Sequence, residues 1–597
     1  MDVPVPAELT ADSWRRAGRA LLAKALGELS YERMLDPVEV DPVEVDAPRY
    51  RVELPDDVAY WFSARRGAFG DFRVDPETIV RSAGGVDAAG EDPLQFVLDA
   101  YEALGMSGDT AGHLTRELTA TLLADARMLG GDAPLAGELA DMSYVDNEGH
   151  QTGHPWLVPN KGRVGFSASD AAHYAPESRQ PRQLPWIAVH SSMADYRAVE
   201  GLSQQQLLAG ELDEPVREQF ARVLRQQGLD PDEYVWMPVH PWQWDETILP
   251  VFAPDVAARR IVPLGQGPDT YLAQQSIRTF ANVDHPGRHF VKVPLSILNT
   301  LVWRGLPNDK TVAAPAVTSW MLGIADSDPF LRDETRAVLL GEVASVTVQH
   351  PVLERIREVP YQYRELLGAI WREPLEPKLD AGEKARTLAA LLHVDREGRA
   401  FVAELVERSG VDARTWLQRL FHALLPPLLH FLYRYGTVFS PHGENTIVLF
   451  GPDEVPTRLA VKDFVDDVNI SATPLPELAD LPAEVDAALL REPPEFLRQF
   501  VQSGLFVCHF RYLAPLVEQQ LGVPEADFWS MVRDEVLAHQ KRFPELSERF
   551  ALFDLLTPEI DRLCLNRNRM LLDAYRDRSE RPHAAVHGTV PNPLHAG

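Results

Sequence analysis

The residues whose types and spacing most suggest chemistry begin at Ser276-Ile277-Arg278-Thr279, followed by Lys292 and then Arg304. Two hydroxyls beside a guanidinium suit several phosphoryl oxygens at once, because Arg offers a fork of donors while Ser and Thr rotate to fit. Lys292 stands in the apolar run Phe290-Val291-Lys292-Val293. Either an anion pairs with an ammonium buried there, or the long stem carries the charge from a strand end to water.

A second constellation joins Pro441-His442-Gly443-Glu444-Asn445 to Lys462-Asp463-Phe464. The strand-like runs Thr446 to Phe450 and Arg458 to Val461 flank a turn at Gly451-Pro452-Asp453, so antiparallel pairing would bring Glu444 and Asn445 close to Asp463. Such hard oxygen ligands facing a phosphate site are what magnesium prefers, although a single instance also reads as a capped turn. A third cluster, Gly149-His150-Gln151-Thr152-Gly153-His154-Pro155, runs on to Lys161 and Arg163. It reads as an anion cradle or merely as a tight loop. His240-Pro241-Trp242-Gln243-Trp244 reads foremost as a packed corner. The phosphate loop, the dinucleotide glycine fingerprint, the HExxH zinc helix and the GxSxG elbow are all absent from the sequence.

The elements that must position these residues follow from periodicity. Ser13 to Met34 has helical spacing, and Pro93 to Leu129 reads as two helices broken around Gly105 to Gly112. Tyr50 to Leu54, Phe69 to Val74, Trp186 to His190, Val235 to Val239 and Phe290 to Val293 read as strands. Past Pro307 helices are expected, among them Glu334 to Val346, Arg386 to Leu392 and Trp416 to Tyr435. The duplicated Asp-Pro-Val-Glu-Val at Asp36 to Val45 is expected to be an exposed loop.

The chain of 597 residues carries a net charge of -30, which disfavours nucleic acid and anionic membranes as partners. Any anionic substrate must therefore be gathered by a local cationic cluster. Two cysteines, Cys508 and Cys564, make neither a disulfide framework nor a metal-ligand spacing. With no leader-like N-terminus and no apolar run of membrane-spanning length, a cytoplasmic location is expected.

Taken in order, GHPWLVPNKGRVGF at Gly153 to Phe166, VHPWQW at Val239 to Trp244, YLAQQSIRTF at Tyr271 to Phe280, SPHGENTIVLF at Ser440 to Phe450 and KDF at Lys462 to Phe464 resemble the siderophore synthetases that work independently of nonribosomal peptide synthetases, the IucA/IucC family. The resemblance spans nearly the whole chain. It implies an α+β, cupped-hand fold with an N-terminal thumb over residues 1–146, fingers over 147–370 and a mostly helical palm over 371–597. It also implies ATP and magnesium as cofactors, a carboxylate and an amine or N-hydroxy-amine as substrates, and a possible homodimer.

By position, the resemblance assigns the phosphates to Ser276, Arg278, Thr279 and Lys292, with His154, Lys161, Arg163, His442, Asn445 and Asp463 completing the nucleotide site. Glu444 and Asp463 would hold the metal. Arg304, Arg567 and Arg569 would meet the acyl substrate, and Arg304, His442 and Lys292 would carry the chemistry. Many citrate-using members read GHPxHPxxKxR, whereas Leu157-Val158 replaces the second His-Pro here. The text is thus nearer the desferrioxamine-type, late-acting members, whose carboxylate would be a citryl monoamide or a succinyl-hydroxamate half-acid. A first-step citrate enzyme, a kinase-like phosphotransferase releasing ADP and an inactive siderophore-binding protein are the competing readings.

Overall fold

A computed structural model describes residues 5–40, 47–131, 133–572, 575–582 and 584–595. The first helix, Ala11–Tyr31, starts where the Thr10 hydroxyl accepts the Ser13 backbone N–H and Ser13 caps in return. Its apolar face packs on the helices Pro93–Ala100 and Gly108–Gly130 and on a small antiparallel sheet, forming one core with Leu22, Leu26, Phe62, Leu118 and Leu122. Val38–Glu39 is a two-residue edge strand paired with Arg49–Leu54, so the first Asp-Pro-Val-Glu-Val copy is not wholly loop. The second copy lies outside the described residues. The nine-residue strand Val58–Arg66, unread in the sequence, is the centre of this sheet.

The middle of the chain builds an eight-stranded antiparallel sheet among the described residues. Its order is Ala194–Ala198, Glu342–Val348, Gly368–Arg372, Phe290–Lys292, Thr279–Asn282, Ile261–Ala273, Arg182–His190 and Tyr234–Pro238. Every residue of Glu342–Val348 and of Gly368–Arg372 is buried. This corrects the helical reading of Glu334 to Val346, where Val338–Leu340 and Glu342–Val348 are strands. A short run that is apolar on both faces has no periodicity by which to tell strand from helix. Arg386 to Leu392 is likewise not an α-helix: Lys384–Thr387 is a strand and Leu388–Leu392 a single 3₁₀ turn.

The hairpin Thr446–Phe450 and Pro456–Lys462 forms as read, and joins Lys384–Thr387 and the parallel strand Val338–Leu340 in a four-stranded sheet. Around it a helical core is dominated by Ala413–Tyr435, whose C-terminal Gly436 adopts φ 56° and closes the helix. The helix Asn308–Ser327 contributes Ala313, Ala314, Val317 and Met321 to this same core. Among the described residues no helix is long and apolar enough to cross a membrane.

Candidate active site

The two sheets meet at a run of charge. Lys292 lies opposite Thr279 on one neighbouring strand and Ile370 on the other, while Arg372 lies opposite Glu342. From the other sheet, Asp463 turns in at φ 72°, ψ 72° and opens the short helix Phe464–Asp467. Asp tolerates this left-handed geometry better than most residues. Lys292 Nζ sits 2.5 Å from Asp463 Oδ1, 2.8 Å from Asp466 Oδ2 and 3.7 Å from Glu342 Oε1. Its ammonium is therefore buried and paired, the first of the two alternatives. Arg372 Nη2 lies 3.5 Å from Asp463 and 3.8 Å from Glu342, and Arg278 Nη2 lies 3.3 Å from Asp466. Arg278 also donates to the Gly305 carbonyl.

Charge pairing decides the protonation states. Burial would raise the Asp463 carboxyl, but Lys292 and Arg372 more than offset this and hold it down to about 2. Burial also opposes ionisation of Asp466, yet Lys292 and Arg278 keep it well below the ordinary range. Asp467 differs: burial and its two charged neighbours, Asp463 and Asp466, push it well above that range. Its Oδ2 accepts the Asn445 side-chain amide. Glu342, fully buried, is raised mainly by burial and accepts the Val465 backbone N–H at 3.1 Å.

Arg304 ends the strand Val302–Arg304, opposite Leu295. Its Nη2 donates to Thr300 Oγ1 at 2.6 Å, its Nε has no partner, and no carboxylate among the described residues lies within ion-pair distance, although Glu444 and Asp463 act on it from farther off. Burial and the charge of Arg278 push this guanidinium down to about 10, the signature of a cation without a counter-ion. Nearby polar atoms also lack a hydrogen-bond partner: Ser276 Oγ, Arg278 Nε and Arg372 Nε. Thr279 sits buried beside Lys292, and the His442 ring is held below its ordinary value by burial.

Not every residue expected at the site lies in this cleft. Lys161 Nζ meets Asp125 at 2.7 Å and the Thr152 carbonyl, and Arg163 forks onto Glu177, Nη2 to Oε2 at 2.7 Å. Both line a separate cavity of about 650 Å³ beside the helix Gly108–Gly130. Arg569 is fully buried, with Nε and Nη2 on Glu117 at 2.9 and 2.5 Å, and Tyr575 on the same carboxylate. Its remaining nitrogen, Nη1, has no hydrogen-bond partner among the described residues. Arg567 is half-buried, and its backbone N–H donates to Glu32 at 2.7 Å. His154 Nδ1 accepts the backbone N–H groups of Trp156 and Leu157, which makes it a turn cap, but the charges of His442 and Arg304 reach its ring.

Sequence reasoning missed Glu342, Arg372, Asp466 and Asp467. Glu342 and Arg372 carried the signal that singled out Lys292, a lone charge in an apolar strand. The two aspartates follow Lys462-Asp463-Phe464 directly as Val465-Asp466-Asp467.

Among the described residues no cluster of three or more carboxylates, imidazoles or thiols is arranged as a metal cage. Magnesium rarely uses one, since phosphate oxygens and water fill most of its shell around one or two carboxylates. Glu444 and Asp463 suit that role, because both of their charges act on His442, Arg304 and Arg372. Both cysteines are free and buried, their thiols pushed up to about 12 by burial, which leaves no nucleophilic thiolate.

Known proteins resemble this chain along its length. Residues 143–393 match the model of the IucA / IucC family, and residues 414–578 match that of the ferric iron reductase FhuF-like transporter. The rhizobactin siderophore biosynthesis protein RhbF of Rhizobium meliloti (strain 1021) is 40% identical over 593 residues, covering 99% of this chain and 98% of its own. The citryl-spermidine/3,4-dihydroxybenzoyl-citryl-spermidine:spermidine ligase of Bacillus anthracis is 28% identical, over 97% of this chain and 93% of its own. Among solved structures, aerobactin synthetase IucC from a hypervirulent pathotype of Klebsiella pneumoniae superposes with a TM-score of 0.85 at 32% identity, covering 98% of both chains. The ATP-bound structure of aerobactin synthetase IucA from the same pathotype shares the fold, with a TM-score of 0.75 at 16% identity over 97% of this chain and 99% of that one. End-to-end similarity at this level makes the chain a member of the IucA / IucC family of siderophore synthetases that act without a nonribosomal peptide synthetase.

Proposed function

We propose that this synthetase activates a carboxylate with ATP as an acyl-adenylate and passes the acyl group to an amine or N-hydroxy-amine, releasing AMP and pyrophosphate. The acyl substrate is a citryl monoamide or a succinyl-hydroxamate half-acid. The observation that carries this reading is Arg304: a guanidinium deep in the cleft, held by one hydroxyl, without a carboxylate, and beside the Lys292, Arg278 and Arg372 cluster. Two anions that repel each other need a fork between them. A carboxylate approaching the α-phosphorus of a nucleotide is such a pair. The ATP bound in the IucA structure and the ligase name of the Bacillus anthracis relative lend support.

Lys292, Arg278, Ser276 and Thr279 would hold the phosphates, with His442 and Asn445 facing them from the palm. Glu444 and Asp463 would hold magnesium, which when bound neutralises charge on phosphate oxygens. The carboxylate oxygen attacks the α-phosphorus and the bond to the bridging oxygen breaks. The amine nitrogen then attacks the acyl carbon and the bond to AMP breaks. No protein nucleophile is required; positioning and preorganised charge do the work. The test is nucleotide analysis and pyrophosphate release with candidate half-acids, with and without hydroxylated diamines. AMP and pyrophosphate are expected, and ADP as the product overturns the mechanism.

A further inference from the structure

From Leu21 to Tyr31 the first helix is buried at every position but one, and that position is Lys24. Its ammonium donates to the His154 carbonyl at 2.8 Å, and no carboxylate among the described residues lies within ion-pair distance. The same carbonyl already accepts the Asn160 side-chain amide at 3.0 Å. His154, like Lys24, is enclosed by protein but open to solvent, as are Arg304 and His442, and the His154 ring feels the charges of Lys24, His442 and Arg304 together. This half of the helix thus opens at one lysine beside His154, the residue whose ring the charges of Arg304 and His442 also reach.

The adenylation reading leaves one proton unaccounted for. An amine that attacks the acyl carbon must lose a proton, and the cleft's other basic groups cannot take it: Lys292 is ion-paired, the arginines stay charged, and the Nδ1 atoms of His154 and His442 are committed to backbone N–H groups. We propose that Lys24 is the general base of the second half-reaction, taking the proton from the incoming amine or N-hydroxy-amine as its nitrogen bonds to the acyl carbon. The electron pair of the broken acyl–oxygen bond leaves with AMP, and the Lys24 ammonium returns its proton to solvent. This rests on the adenylation reading.

The surroundings support a lysine that is neutral part of the time. Burial, followed by the charge of Lys161, pushes Lys24 down to about 7, while Glu28 on its own helix, Asp125 and Cys508 act the other way. Glu28 is held at 2.8 Å by Arg511 and Asp125 at 2.7 Å by Lys161, so neither is free to pair with Lys24. A base with a value near the working pH is the most effective kind.

The test uses the full chain, with Lys24→Met and Lys24→Arg compared in two assays: pyrophosphate exchange into ATP with the acyl substrate alone, and amide formation from pH 5.5 to 9. Both variants should keep exchange within about threefold, lose about 10²-fold in amide formation, and lose the rising limb near pH 7. Arginine can keep the bond to the His154 carbonyl but cannot release a proton, so rescue by Lys24→Arg would reduce Lys24 to a structural staple and overturn the proposal. Parallel loss of exchange in Lys24→Met, with unchanged melting temperature, would overturn it in favour of a carboxylate anchor. A wild-type chain that makes the amide without exchanging pyrophosphate would instead bring down the adenylation reading.

Discussion

At the scale of single residues, the cleft sets cations that already have counter-ions against Arg304, which has none within ion-pair distance. Lys292, Arg278 and Arg372 face Asp463, Asp466 and Glu342, whereas Arg304 faces only the Thr300 hydroxyl. Arg304→Gln should therefore fold normally, because it leaves no orphaned carboxylate behind, and should retain most nucleotide affinity. Pyrophosphate release should fall about 10²-fold, as when one preorganised donor is removed from an active site. Arg304→Lys should recover only part of the loss, since a point charge cannot reproduce the fork. Steady-state pyrophosphate release alongside calorimetric nucleotide titration checks this, and wild-type turnover in Arg304→Gln would remove Arg304 from the site.

At the scale of elements, the geometry depends on close packing around Gly305. A Cβ there would lie 2.4 Å from the Glu365 Cβ and 2.7 Å from its carbonyl, and the Gly305 carbonyl is the acceptor for Arg278 and Arg581. Gly305→Ala should cost about 1–3 kcal/mol of stability and disturb Arg278 as well. Urea denaturation would show the first effect and a raised KM for nucleotide the second. The hairpin Thr446–Phe450 and Pro456–Lys462 was legible in the sequence because Gly451-Pro452-Asp453 punctuates two short apolar runs, and its pairing puts Asn445 beside Lys462. The strands carrying Glu342 and Arg372 were not legible. Buried on both faces, they show no alternation that would set Glu334 to Val346 apart from a helix. Lys161, Arg163 and Arg569 show a different limit: their types suit anions, but the carboxylates that neutralise them, Asp125, Glu177 and Glu117, lie too far along the chain, or in too ordinary a setting, to be matched by spacing.

At the scale of the whole molecule, stability is tied to histidines that stay neutral. His240, His509 and His539 are buried in cores, and burial holds each down to about 3. The unfolded chain takes up their protons below about pH 6.5, so their contribution is complete above that value and shrinks as pH falls towards 3, by about 1.4 kcal/mol per pH unit for each ring. Asp463 and Asp466, whose folded values are depressed, begin to lose theirs only below about pH 4. Asp467 and Glu342, raised by burial, act in the opposite sense over the same range, so the test is made ring by ring: histidine NMR should show these three rings still neutral at pH 5, and a ring titrating near 6.5 would contradict its burial. The net charge of -30 also means that a nucleotide reaches the cleft against the long-range field. Inside, the aspartates on Lys292 and Arg278 are competitors tethered to the chain, so loading the cleft is an exchange of ligands on fixed cations. A monovalent anion can displace only one tethered carboxylate at a time and gains little, while a polyphosphate displaces several in concert, which makes the cleft a discriminator of anion valence. Asp466, set free, loses the cations that kept it ionised, and nucleotide binding should thus draw a proton from solution, seen as a binding enthalpy that changes with the ionisation heat of the buffer.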